Sequence, residues 1–247
     1  EAGRMGIGLY GPDSSNILSK IEPSLANLKK FHFRQGKIGQ IQGIISRAGY
    51  SRDSSGFEFY IHPDDAIKLW NLLLRQGKEF DIKAAGLQVR NQVRSEADLP
   101  SREETEFISD GVSLYKTHPS YFDLSKAYFI GQKIINKALE SWAMKKEEFQ
   151  YKEEKRKVRQ TPLYQEHLKL GASFVTFAGW KMPLCYIGIS EEHRAVREAA
   201  GLFDVTHMGV IEIAGEHAAS LLDMVSTNYV RWLRDGQSHY AYLLAPD

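Results

Sequence analysis

Apolar residues recur at helical spacing between Pro63 and Arg75, where Ala66, Leu69, Trp70 and Leu73 fall on one face. Pro63 suits a first helical turn, where its missing N–H costs nothing. The spacing predicts an amphipathic helix over 63–75. A second helix is expected over 14–21, with Asp13 or Ser14 as its cap and Ile17, Leu18 and Ile21 facing inward. A third covers 190–200, with Glu191 and Glu192 in its first turn and Gly201 just past its end. Elsewhere the pattern shortens. Residues 7–10, 37–45 and 56–61 cluster or alternate β-branched and aromatic side chains, as strands do. The final stretch, HYAYLLAPD, reads as a strand through Tyr240, Tyr242, Leu243 and Leu244, then the opening of a turn. Strands alternating with single helices, several joined by hairpin-like turns, predict an α+β fold of split βαβ, ferredoxin-like units.

One stretch breaks this pattern. From Ala143 to Gln160 eleven of eighteen residues are charged and none is glycine or proline. Glu148 with Lys152 and Glu153 with Lys157 are spaced i,i+4 with the acid first, the order that supports a solvated helix. Acids and bases alternate, which favours a helical linker over a nucleic-acid patch. The expected organisation is therefore 1–142, a charged linker over 143–160, and 161–247.

Charge adds exclusions. With 32 Lys and Arg against 31 Asp and Glu, the net charge of +1 gives no global field for nucleic acid or an anionic membrane. No apolar run reaches the roughly 18 residues of a membrane span. The N-terminal EAGRMGIGLYGPD lacks the apolar core of a signal peptide and reads as starting inside a fold. The single cysteine, Cys185, permits no intramolecular disulfide and points to a reducing compartment such as the cytoplasm. GRMGIGLYG has neither the spacing nor the lysine of a phosphate loop. The histidines lack metal-ligand spacing, and no G-x-S-x-G elbow is present. His193 on a helix and His207 at an expected strand start read as structural.

Two long stretches carry a sharper signal. Residues 161–209, TPLYQEHLKLGASFVTFAGWKMPLCYIGISEEHRAVREAAGLFDVTHMG, resemble the N-terminal signature of the glycine cleavage T-protein, or aminomethyltransferase, family. ISRAGYSRDSSGFEFYIHPDDAIKLWNLLL, AAGLQVRNQVRSEADLP, GLYGPDS and YFIGQKIINKAL resemble that family's later, central region. The two regions stand in reversed order here, as a tandem duplication or a circular permutation would leave them. Nothing is recognised as the family's C-terminal barrel-like domain.

The resemblance implies a tetrahydrofolate site. A reduced pterin offers ring N–H donors, which suit a hydrogen-bonded carboxylate, while aromatic rings and an arginine suit its flat face and anionic tail. By family match Glu58 is the ring-binding glutamate, with Tyr50, Arg90, Met208 and Tyr240 beside it. Each has a plainer reading. Glu58 lies between Phe57 and Phe59, so it faces away from them, towards a ligand or towards solvent. Tyr50, Tyr240 and Met208 could be core residues, and either Arg90 or Arg94 could simply pair with Glu96. The turn SRDSSG is one residue longer than the family's usual form, a change that can re-aim Glu58.

The family's catalytic aspartate falls about six residues beyond Asp247, on the short hairpin such turns open, so no catalytic residue is assigned. A chain ending there is expected to lack transferase activity. The implied function is transfer of the aminomethyl carbon from the lipoylated H-protein to tetrahydrofolate. The alternative is a non-catalytic folate-binding or scaffold relative. Self-association or a domain swap through the final strand is a further expectation.

Overall fold

The computed structural model describes residues 3–47, 56–97 and 157–243. The chain divides into two compact units, Glu1–Ala97 with Arg156–Ile211, and Asp98–Lys155 with Glu212–Asp247. The expected site residue Tyr50 and the stretch YFIGQKIINKAL lie outside the described residues, as do 143–156 of the charged stretch.

The first unit is built on a six-stranded sheet. Its strands are β1 (Met5–Tyr10), β2 (His32–Ile38), β3 (Ile41–Arg47), β4 (Gly56–Ile61), β5 (Lys83–Ala84) and β9 (Gly201–Asp204), in the order β2-β3-β4-β1-β9-β5. β1 pairs antiparallel with both β4 and β9, and β5 runs parallel to β9. Strand β9, from beyond the charged stretch, thus sits between two strands from before it. The order is linear, so among the described residues the sheet is open. The fold class is α+β.

Alternation along the strands sends Ile7, Leu9, Phe57, Phe59, Ile61 and Leu202 to one face, where all are buried. Helix α1 (Ser14–Ser19) packs there through Ile17 and Leu18, and the short α2 (Pro23–Ala26) through Leu25. The amphipathic helix behaves as its spacing predicts. Pro63–Asp65 form a 3-10 turn, then α3 (Ala66–Gly77) buries Ala66, Leu69, Trp70 and Leu73 completely. Each large apolar side chain so buried is worth roughly 1.5–3 kcal/mol.

Three expectations are corrected. The stretch 37–45 is a hairpin, with β2 and β3 meeting at a turn in which Gly39 has φ +59°. Gly201 does not cap the third helix: that helix, α6 (Ile189–Glu198), ends earlier, and Gly201 opens β9. Arg159 and Gln160, the end of the stretch read as helical, form β6, a strand parallel to β8 (Trp180–Cys185). With β7 (Ser173–Phe177) they make a three-stranded sheet, and the Arg159 guanidinium lies 3.9 Å from the Trp180 ring centroid.

Helices α4 (Leu87–Glu96) and α5 (Tyr164–Lys169) complete the described part of this unit. In the second unit, α7 (Ala218–Val225) is followed by a 3-10 turn, Val230–Trp232. Asp223 accepts from the Val230 N–H at 2.6 Å, and Arg231 Nε lies 3.1 Å from its other oxygen. The strand expected at the chain end is, over its described part, a single antiparallel bridge of Leu243 to Ser226. No helix among the described residues is long and apolar enough to cross a membrane.

Candidate functional site

Glu58 lies on β4 directly opposite Gly8 of β1, on the face away from Phe57 and Phe59. That face is not solvent: Glu58 is 6% exposed. Two phenols explain how a carboxylate sits there. Tyr10 donates to Oε1 at 2.6 Å and Tyr60 donates to Oε2 at 2.6 Å. Tyr60 shares the strand two residues on, so it lies on the same face. Tyr10 arrives from β1 by folding back across Gly8. A Cβ on Gly8 would stand 2.5 Å from Tyr10 Cε2 and 2.8 Å from its hydroxyl. Phe203 of β9, the cross-strand partner of Gly8, packs against that ring with centroids 5.5 Å apart.

Arg90 is on α4 and is buried, and its Nη2 donates to the Met208 sulfur at 3.1 Å. Arg94, one turn on, is half-buried, while Glu96 is paired with His193 at 2.8 Å and with Arg197, both on α6. Burial pushes the Glu96 carboxyl up, but Arg197 and His193 together hold it below its ordinary value. His193 thus bridges α6 to Glu96 at the end of α4. His207 lies in a turn after β9 rather than at a strand start, its ring edge-on to Phe177.

That turn is set by Asp204. Its Oδ1 accepts from the Thr206 N–H at 2.9 Å and the Thr206 hydroxyl at 2.5 Å, and the Met208 N–H closes onto the Val205 carbonyl. Its Oδ2 faces His167 Nε2 at 2.9 Å, and His167 Nδ1 faces the Tyr186 hydroxyl at 2.9 Å. Burial first, then the charges of Asp204 and Glu192, push the Tyr186 phenol well above its ordinary range. The neutral phenol can pair with Nδ1 as donor or acceptor, while Nε2–H donates to the Asp204 carboxylate. Burial also pushes Asp204 up, yet His167 and Thr206 outweigh it and hold the carboxyl below its usual range. Val205, which opens the turn, lies against Gly6 with the Tyr60 ring beside it. The turn so links the Glu58 group to Met208 and Arg90.

Glu192 anchors the other side. Fully buried, it accepts four backbone N–H bonds: Tyr186 at 2.6 Å, Ile187 at 3.0 Å and Gly188 at 3.2 Å on one oxygen, Gly86 at 2.8 Å on the other. It thus fixes the start of α6 and the start of α4, the helix carrying Arg90. Gly86 must be glycine for this approach, because a Cβ there would stand 2.0 Å from the Leu184 carbonyl oxygen. Gly86→Ala is expected to lower stability by roughly 1–3 kcal/mol, read from the urea midpoint. An unmoved midpoint would contradict the close packing described.

Of the residues expected from sequence, Glu58, Arg90 and Met208 fall in the first unit. Tyr240 falls in the second, where its carbonyl accepts from Asn228 Nδ2 at 2.6 Å. The sequence reading missed Tyr10, Tyr60, His167, Asp204 and Glu192. Only Tyr60 had a local signal, its i+2 spacing from Glu58. Among the described residues no group of three or more His, Cys, Asp or Glu could hold a metal ion.

The class so defined is an α+β domain that buries a tyrosine-held carboxylate and joins it, through the turn after β9, to an arginine–methionine contact. The chain belongs to the family of the GCVT N-terminal domain, whose model matches residues 2–106 and 163–247. It is similar to an aminomethyltransferase of Symbiobacterium thermophilum, 55% identical over 86 residues, covering 35% of this chain and 23% of that protein. An aminomethyltransferase of Chloroherpeton thalassium is 50% identical over 90 residues, covering 36% and 25%. A probable aminomethyltransferase of Halobacterium salinarum is 48% identical over 90 residues, with the same coverage. The chain spans about a quarter of the length of the curated relatives it matches.

Proposed function

We propose that this chain forms the folate-holding part of an aminomethyltransferase of the glycine cleavage system. In that reading the aminomethyl carbon leaves a lipoyl sulfur of the H-protein for tetrahydrofolate, freeing the thiol and ammonia. Glu58 carries the proposal. Among the described residues its partners are two phenols, one on each oxygen, and a carboxylate has about four lone-pair sites. Two acceptor sites remain for the ring donors of a reduced pterin. Gly8 leaves the space that lets the Tyr10 ring reach Glu58, and Gly6 the space taken by Val205 beside Tyr60. Arg90 would meet the ligand's carboxylates and Met208 would line the site, while Tyr50 and Tyr240 are proposed as ligand contacts on the family match alone.

The reversed order of the family's regions, with 1–142 and 161–247 as parts of two copies or of one permuted copy, belongs to the same proposal. Strand β9 pairing into the earlier region's sheet supports it, since the two regions can form one unit within one chain. Self-association through the segment near Tyr240 remains part of the proposal as well.

The test is calorimetric titration of tetrahydrofolate into the chain and into Glu58→Gln. Glutamine at this site meets one phenol and one ring donor with an NH2 group. The expected loss of affinity is about 10- to 100-fold, as for a charge-assisted pair of hydrogen bonds. Equal binding by the two proteins, or none by a folded wild type, would reject the reading.

A further inference from the structure

We propose that Tyr10 and Tyr60 are positioning residues that hold Glu58 as an acceptor-only carboxylate, and so make the site selective for ligands with two adjacent N–H donors. The ligand in this proposal rests on the folate reading above; the geometry does not.

Both phenol contacts are 2.6 Å, within the short range of O–H···O⁻ hydrogen bonds. Two donors on opposite oxygens fit an ionised carboxylate. A protonated Glu58 would have to turn one phenol into an acceptor. With one lone pair on each oxygen engaged, one on each remains to accept. That pair matches a ring N–H next to an amino group. It opposes an edge in which a carbonyl replaces the amino group, because lone pair would then face lone pair. Selectivity of this kind is strong where a buried acceptor would otherwise be left unpaired.

The two phenols are themselves fixed by the fold. Tyr10 is 3% exposed, held against Gly8 and Phe203, with Phe203 supplied from beyond the charged stretch. Tyr60 stands beside Gly6 and Val205. Without the phenols, Glu58 can rotate and present a single oxygen to the ligand's edge. It would then tolerate the carbonyl edge.

Tyr10→Phe, Tyr60→Phe, the double variant and Gly8→Ala test this in the full chain. Gly8→Ala alters no polar atom but displaces the Tyr10 hydroxyl. The first readout needs no ligand: slowly exchanging, low-field phenolic protons in the NMR spectrum. Two are expected, each lost in its own Phe variant, and the Tyr10 signal lost in Gly8→Ala. The second readout is the ratio of affinities for tetrahydrofolate and a 2,4-dioxo pteridine. Wild type is expected to prefer the former by at least about tenfold, and the double variant by under about threefold. Phenolic protons exchanging as fast as exposed ones, or a ratio unchanged in the double variant, would overturn the proposal. If wild type binds neither compound, the folate reading fails, and the phenolic signals still decide the state of Glu58.

Discussion

Glu192→Ala is expected to lower the stability of the chain by about 4 kcal/mol or more, measured as the shift in urea midpoint at constant slope. The reason is the number of donors that lose their acceptor. Four backbone N–H groups, of Gly86, Tyr186, Ile187 and Gly188, converge on this one carboxylate. A buried donor left unpaired costs about 1–3 kcal/mol, and water entering the space would recover part of the sum. The charge is tolerated at zero exposure because every bond comes from a donor, two of them at the starts of α4 and α6. Glu192→Gln separates charge from count. Its oxygen can keep the three bonds on the 186–188 side while its NH2 faces the Gly86 N–H, so the expected cost is about 1–3 kcal/mol. Amide exchange at Gly86 should then rise in Gln as well as in Ala. An alanine variant within about 1 kcal/mol of wild type would mean that the four bonds are readily replaced by water.

Glu192 also shows where the sequence stops being informative. At the start of a predicted helix an acid reads as a helix-end charge, worth some tenths of a kcal/mol. Its true partners include Gly86, 106 positions away. The amphipathic helix of Trp70 was legible because its signal is local and periodic, and burial of one face is what folds it. Hairpin β2–β3 was blurred, since a two-residue turn at Gly39 interrupts a run whose composition is strand-like on both sides. Gly201 was misplaced because a glycine after a helix and a glycine opening a strand look alike in one dimension.

At the candidate site the same division holds. Alternation sent Glu58 away from Phe57 and Phe59, and the structure agrees. Alternation could not tell that the opposite face is also covered. Tyr60 was within reach at two residues' distance, but Tyr10 is 48 positions from Glu58 and only strand pairing brings it there. Arg90 and Met208, 118 positions apart, were each singled out by family resemblance alone, and no pattern in the residues foretold their contact.

Asp204→Ala is expected to cost about 3 kcal/mol or more, because three buried donors, His167 Nε2–H and the Thr206 N–H and hydroxyl, lose their acceptor at roughly 1–3 kcal/mol each. It also frees the turn that carries Met208. Both consequences follow from how the carboxylate divides its oxygens, one to His167 and one to Thr206. Asp204→Asn should be much milder. Its carbonyl can keep the Thr206 bonds, and the Tyr186–His167 pair can reverse polarity so that Nε2 accepts from the new amide. The two variants also differ from wild type in their response to acid. His167 and Thr206 hold the folded Asp204 carboxyl below its ordinary value against the opposing effect of burial. Its contribution is therefore complete above the unfolded value of about 3.9 and fades as pH falls below that, through the folded value. The stability difference between wild type and Asp204→Asn should accordingly be constant from pH 7 to about 5 and narrow steadily towards pH 3. Urea midpoints at those pH values measure it. A difference that stays level to pH 3 would show that Asp204 keeps no lowered value in the folded chain, and the His167–Asp204 contact would then be a hydrogen bond without linkage to acid stability.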